Sequence, residues 1–220
     1  MSQPTPRQLT ALKAAVFAAC LIPLAQLVYG AATGGLGANP IEAFTRGLGE
    51  WTLNLLLITL AVTPLRRLTG LNWLLRLRRM LGLYAFFYAL LHLTSYVWLD
   101  QFFDWSEILK DIVKRPFITV GFAAFLLLIP LAATSTHAMV RRLGGRRWRA
   151  LHRAVYAIGI LAVLHYWWLV KQDVTQPALY AGVLALLLGL RVYWFFTERR
   201  GASAAQASPG KSRQAMGVSP

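Results

Sequence analysis

Six stretches of the chain are apolar for long enough to cross a bilayer, and the polar residues are gathered between them. They cover residues 12–29, 51–65, 80–99, 117–133, 151–170 and 177–196. A helix needs roughly 20 residues to traverse about 30 Å of hydrocarbon. The second stretch is the shortest and is ended by Pro64, with Leu48 and Gly49 available to lengthen it. The first has Arg7 and Lys13 at its start, as a secretory signal would, but about 18 apolar residues is long for such a segment. It reads as an uncleaved first helix. The pattern predicts an all-α, polytopic membrane protein, a bundle of six transmembrane helices. It divides the chain into a tail (1–11), a transmembrane domain (12–200) and a Gly-, Ala-, Ser- and Pro-rich tail (201–220) whose composition predicts disorder. No internal repeat stands out.

One connecting segment has a pattern of its own. Trp105, Ile108, Leu109, Ile112 and Val113 recur at helical spacing between Asp104 and Pro116. This predicts a short helix lying in the outer membrane interface, with Asp104 and Glu107 arranged as a capping box. Lipid contact is the preferred reading of its apolar face over the docking of a partner.

Composition agrees. The chain is 57% hydrophobic and only 14% charged, against about a quarter charged in ordinary soluble domains. Its 23 Lys and Arg against 8 Asp and Glu do not mark a nucleic-acid binder, because they sit between apolar runs rather than among polar residues. They are sorted by side instead. With six spans, only Arg46, Lys110, Lys114, Arg115 and Lys171 fall on one face, and the other eighteen share the opposite face with a single acid, Glu198. The positive-inside rule makes that basic face cytoplasmic, with both termini inside. Trp51, Trp98, Trp105, Trp167 and Trp168 then lie near the outer ends, and Trp73, Trp148 and Trp194 near the inner ends, as interfacial anchors do. The lone Cys20 excludes a disulfide framework and a cysteine-based metal cluster.

The candidate chemistry lies in the histidines. His92 is 12 residues into the third span and His165 is 14 residues into the fifth. At about 1.5 Å per residue their depths agree within one turn. Two neutral imidazoles at one depth on separate helices suit axial ligation of one haem, and an intramembrane polar side chain is a functional candidate by default. Gly82, Ala85 and Ala89 form a small-residue stripe leading to His92, which allows close approach either of a flat macrocycle or of another helix. His152 is at the inner mouth of the fifth span. Thirteen residues separate it from His165, which turns the two side chains about 140° apart on an ideal helix. At its level the third span offers Arg78 or Arg79 rather than histidine, so a clean second bis-histidine site is not provided. His137, in a polar run, reads as a solvated surface residue. No phosphate loop, nicotinamide domain, nucleophile triad or carboxylate pair at membrane depth is present.

Several of these runs also resemble a known family. Thr59-Leu60-Ala61-Val62-Thr63-Pro64-Leu65-Arg66-Arg67, then Leu77-Arg78-Arg79-Met80-Leu81-Gly82-Leu83 and Tyr88-Ala89-Leu90-Leu91-His92-Leu93, are similar to the MsrQ (YedZ) family of the ferric-reductase-like superfamily. So are Thr134-Ser135-Thr136, Arg142-Leu143-Gly144, Trp148, Leu151-His152, Val155-Tyr156 and His165-Tyr166. The resemblance covers roughly residues 12–200. It implies a multi-pass haem-binding subunit of the bacterial inner membrane, an electron-transfer component rather than a catalytic subunit. Such subunits take electrons from the quinone pool or a cytosolic flavin reductase. They pass them through b-type haem to a periplasmic molybdopterin methionine sulfoxide reductase that repairs oxidised proteins. The resemblance places the family's haem histidines on His92, His152 and His165 and associates the family with FMN; with the matched depths, the expected iron ligands are His92 and His165, and His152 is a further candidate ligand. The alternative readings are a quinone- or flavin-linked ferric reductase and a non-redox transporter or scaffold.

Overall fold

The computed structural model describes residues 3–170 and 172–206, with side chains up to Arg199; residues 207–220 of the expected tail lie outside it. Every regular element described is helical: α1 (Pro6–Thr33), α2 (Pro40–Thr69), α3 (Leu75–Ser95), α4 (Trp105–Lys114), α5 (Pro116–Ala133), α6 (His137–His152), α7 (Ala154–Leu169) and α8 (Thr175–Gln206). Their ends are written in local chemistry. Thr5 and Gln8 close a capping box at the start of α1, and Gly34 ends it in the left-handed conformation at φ 74°. Asn39 caps α2, Pro40 occupies its first turn, and Gly70 ends it at φ 73°.

Helix α2 is the hub. Its Leu48, Leu53, Leu55, Leu56, Leu57, Leu60 and Val62 are buried in the common core, and it packs on α1, α3, α7 and α8. It does not stop at Pro64, as its sequence predicts, but runs on to Thr69. A proline leaves the carbonyl four residues earlier without a donor. Here that carbonyl belongs to Leu60, and Arg191 of α8 donates Nη2 to it. Pro23 in α1 is supported from a neighbouring helix too. The Tyr88 hydroxyl of α3 donates to Cys20 O (2.7 Å) and accepts from Leu24 N–H (3.0 Å). Breaks in membrane helices are tolerated where neighbours re-satisfy the backbone in this way.

The small-residue stripe on α3 is a helix–helix seam. Ala85 and Ala89 are buried, and a Cβ on Gly82 would rest 3.7 Å from Thr59 of α2. After Ser95 the helix widens into a π turn over Tyr96–Asp100, and Phe102 and Phe103 follow at φ 46° and 63°. Helix α4 forms as predicted, although Asp104 alone does the capping, accepting from Ser106 and Glu107 N–H. The Glu107 carboxylate turns instead to Lys110 at 2.6 Å, so the reciprocal half of the box is not made. Ile108 is buried, while Trp105, Leu109 and Val113 are exposed.

Two further boundaries differ from the sequence reading. The stretch 151–170 is not one helix: Leu151 and His152 close α6, and the continuous apolar helix α7 has 16 residues, about 24 Å. Among the described residues, five helices are therefore long and apolar enough to cross a membrane, where six were expected. The connection between α5 and α7 is itself helical, broken at Gly144 with φ 72°. Helix α8 continues past residue 200 to Gln206, where Ala202, Ala204 and Ala205 favour helix.

A candidate metal centre between two helix pairs

His92 and His165 meet inside the bundle. Their ring centroids are 6.1 Å apart, with the planes at 77°. His92 projects from the C-terminal end of α3, and its Nδ1 lies 2.8 Å from Thr45 O on α2. His165 projects from the C-terminal part of α7, and its Nδ1 lies 2.7 Å from Phe117 O on α5. A carbonyl can only accept, so each Nδ1 carries the proton and each Nε2 presents a lone pair. Metal-ligating histidines are commonly fixed in this way by their second nitrogen. Two metal–nitrogen bonds of about 2 Å, plus the distance from nitrogen to ring centre on each side, place the centroids of a bis-imidazole pair about 6 Å apart. The chemistry and spacing of the pair fit a single metal ion or a haem iron.

Two glycines make the arrangement possible. A Cβ on Gly49 would come 3.0 Å from His92 Cε1, and one on Gly121 would come 2.6 Å from His165 Nδ1. Each glycine stands four residues after the carbonyl that its histidine uses, one turn along the same helix. The two half-sites are built alike. In each, a helix starting with proline supplies a carbonyl and then a glycine, and a second helix supplies the histidine near its C-terminal end. The carbonyl-to-histidine separations are 47 and 48 residues. This repeat has no counterpart in the run of apolar residues, because its sequence trace is two single glycines among the 17 in the chain. The Thr45 hydroxyl, next to the same carbonyl, is buried without a protein partner.

His152 is not brought to this pair. Its ring stacks on Trp148 with centroids 4.0 Å apart, and its Nε2 is 3.0 Å from Thr134 Oγ1. Thr134 gives its own proton to Pro130 O at 2.6 Å, so the hydroxyl accepts the N–H of His152 Nε2. The tautomer is thus opposite to that of His92 and His165, with Nδ1 left as the possible ligand atom. Trp148 Nε1 donates to Thr134 O at 2.9 Å and locks the same corner. His137 is exposed in the first turn of α6. Among the described residues no group of three or more His, Cys, Asp or Glu side chains is gathered for a metal ion, so the histidine pair stands alone.

Comparison with known proteins follows the same lines. Residues 47–163 match the model of the "ferric reductase like transmembrane component" family, a range that holds Gly49, His92, Gly121 and His152. A protein of Herminiimonas arsenicoxydans is 58% identical over 89% of this chain and 91% of its own length. One of Azospira oryzae is 62% identical over 86% and 82%, and one of Ralstonia nicotianae is 58% identical over 93% and 95%. Each of the three is named a protein-methionine-sulfoxide reductase heme-binding subunit, MsrQ. With a family model across half of its length and relatives this similar across nearly all of it, the chain belongs to the MsrQ family of ferric-reductase-like transmembrane proteins.

Proposed function

We propose that the chain is the membrane electron-transfer subunit of a methionine sulfoxide reductase system, with b-type haem held by His92 and His165. The observation that carries this reading is the pair of imidazoles, each fixed at Nδ1 by a backbone carbonyl and each free at Nε2, 6.1 Å apart. Haem iron bound there would supply one-electron chemistry by alternating between its ferric and ferrous states. The protein's part is to fix both rings, to keep their neutral tautomer through the two carbonyls, and to hold the site near the outer ends of α3 and α7.

The chain crosses the bacterial inner membrane six times in this reading, with both termini cytoplasmic. The one-sided Lys and Arg distribution supports the orientation. Helix α7 serves as the short span, helped by the helical backbone of Arg153 (φ −68°, ψ −20°), which joins it to the end of α6. Electrons enter from the quinone pool or from a cytosolic flavin reductase. They leave at the outer face to a periplasmic molybdopterin enzyme that reduces methionine sulfoxide in oxidised proteins. His152, on the cytoplasmic side, serves the entry of electrons, and FMN is the further cofactor the family suggests.

The test is a transfer experiment. Protein reduced anaerobically and mixed with the purified periplasmic reductase and a methionine sulfoxide substrate is expected to reoxidise in proportion to the methionine formed. Rapid reoxidation by ferric chelates, with none by the reductase, would replace this reading with that of a ferric reductase.

A further inference from the structure

We propose that Asp111 of α4 is a positioning residue for the histidine pair. It ties the helices that hold His92 to the helices that hold His165, and so sets how the two rings face each other. The inference rests on the reading of the pair as a haem site and extends it to a residue outside the pair.

Asp111 does not behave as a surface acid. Elsewhere on α4 an ordinary exposed pair is made, Glu107 with Lys110 at 2.6 Å. Of the eight Asp and Glu in the chain, Asp111 alone is buried. A carboxylate withdrawn from water needs partners that compensate for the lost hydration, and here both of its oxygens are taken. Oδ2 accepts from the Tyr96 hydroxyl at 2.9 Å, and Oδ1 accepts from Arg115 Nε at 3.0 Å.

These two partners belong to opposite halves of the site. Tyr96 stands one turn past His92, with its N–H bonded to His92 O, and it opens the π turn, a distortion that recurs at functional sites. Arg115 is the N-cap residue of α5, two residues before Phe117, whose carbonyl fixes His165. Thr119 in the first turn of α5 holds α4 a second time, donating its hydroxyl to Ile112 O. Among the described residues, apart from the histidines themselves, Tyr96 to Asp111 is the one side-chain hydrogen bond or ion pair that joins α2, α3 or the π turn to α4, α5 or α7. The stacked rings of Phe86 and Phe125 also join α3 to α5, but Phe86 lies six residues before His92, about 9 Å along the helix. Each imidazole is fixed by a carbonyl of its own half-site. Neither carbonyl determines the 77° between the ring planes. That angle depends on how the halves are joined, and at the level of the rings they are joined through one carboxylate.

The test uses the full-length protein in detergent. The apoprotein is titrated with haemin, and the electron paramagnetic resonance spectrum of the ferric, loaded form is recorded. In a ferric bis-imidazole haem the spread of the g values follows the angle between the ring planes, so the spectrum reads that angle and a simple loss of stability does not move it. Tyr96→Phe and Asp111→Ala should each shift the g values in the same direction. Each should also weaken haemin binding about tenfold, as the loss of a hydrogen bond to a charged group does. The double variant should go no further than Asp111→Ala, because both remove one link. Asp111→Asn keeps an oxygen for the Tyr96 hydroxyl and should stay closer to the wild type than to Asp111→Ala. Glu107→Gln, on the exposed side of α4, should match the wild type. Tyr96→Phe keeps its ring, so the test stands if Asp111→Ala does not fold. Wild-type g values and affinity in Tyr96→Phe, or the same shift in Glu107→Gln, would overturn the role of Asp111 and leave the haem reading intact. A wild-type protein that binds no haemin would overturn that reading, and this inference with it.

Discussion

Replacing Gly121 with alanine tests the histidine pair through a single methyl group. The new Cβ would stand 2.6 Å from His165 Nδ1, 2.8 Å from Cε1 and 3.0 Å from Cγ, where ordinary contact begins at 3.4 Å. The ring therefore has to retreat by about 0.8 Å, which takes its 2.7 Å bond to Phe117 O to about 3.5 Å, the edge of hydrogen bonding. Losing such a bond inside a membrane protein costs about 0.6–1.7 kcal/mol, roughly a three- to twentyfold loss of affinity for whatever the imidazole ligates. Gly49→Ala is the graded comparison. Its closest approach, to His92 Cε1, is 3.0 Å, and a shift of about half that size relieves it. Haem content by pyridine haemochrome, with the midpoint potential of the retained haem, reads both variants. Gly121→Ala should lose more haem than Gly49→Ala, and its remaining haem should show a shifted potential. Full haem content with unchanged potential in Gly121→Ala would refute the argument that the glycine exists to admit the ring.

Tyr88→Phe removes the hydroxyl that serves Cys20 O and Leu24 N–H beside Pro23. A loss of about 1 kcal/mol, read as a lowered Tm in detergent, is expected without any change in the haem spectrum. His152→Ala should leave the spectrum of the His92–His165 site intact, because its ring is held by Thr134 and Trp148 rather than by the pair; loss of that signal would place His152 in it. Trp105, 63% exposed at the start of α4, should be quenched by brominated lipids if its face rests on the membrane, and an unquenched Trp105 would free that face for a protein partner.

Much of this arrangement can be read from the sequence where one physical signal dominates. The apolar runs mark the helices, because bilayer thickness sets their length, and the Asp104-to-Pro116 segment marks α4, because capping and spacing agree. The nearness of His92 and His165 follows from their equal depth. What escapes is set by contacts between distant segments. Pro64 reads as a helix end until Arg191, more than a hundred residues away, is seen to serve Leu60 O. The small-residue stripe on α3 is compatible with a macrocycle or a helix, and only the position of Thr59 decides for the helix. Gly49, Gly121 and the carbonyls of Thr45 and Phe117 carry no pattern of their own. Their meaning comes from the imidazole that lies against each; the nearly equal separations before His92 and His165, 47 and 48 residues, are the one trace they leave in the sequence. His152 shows the opposite limit: its position is plain in the sequence, but its tautomer depends on a hydroxyl whose own proton goes to Pro130 O.

The most direct test of the central claim is the absorption spectrum of the purified protein, oxidised and dithionite-reduced, with haem stoichiometry, for the wild type and for His92→Ala and His165→Ala. The account predicts a sharp b-type spectrum in the wild type and loss of most haem absorbance in both variants. Full haem in both variants, or a folded and colourless wild type expressed with ample haem, would contradict it.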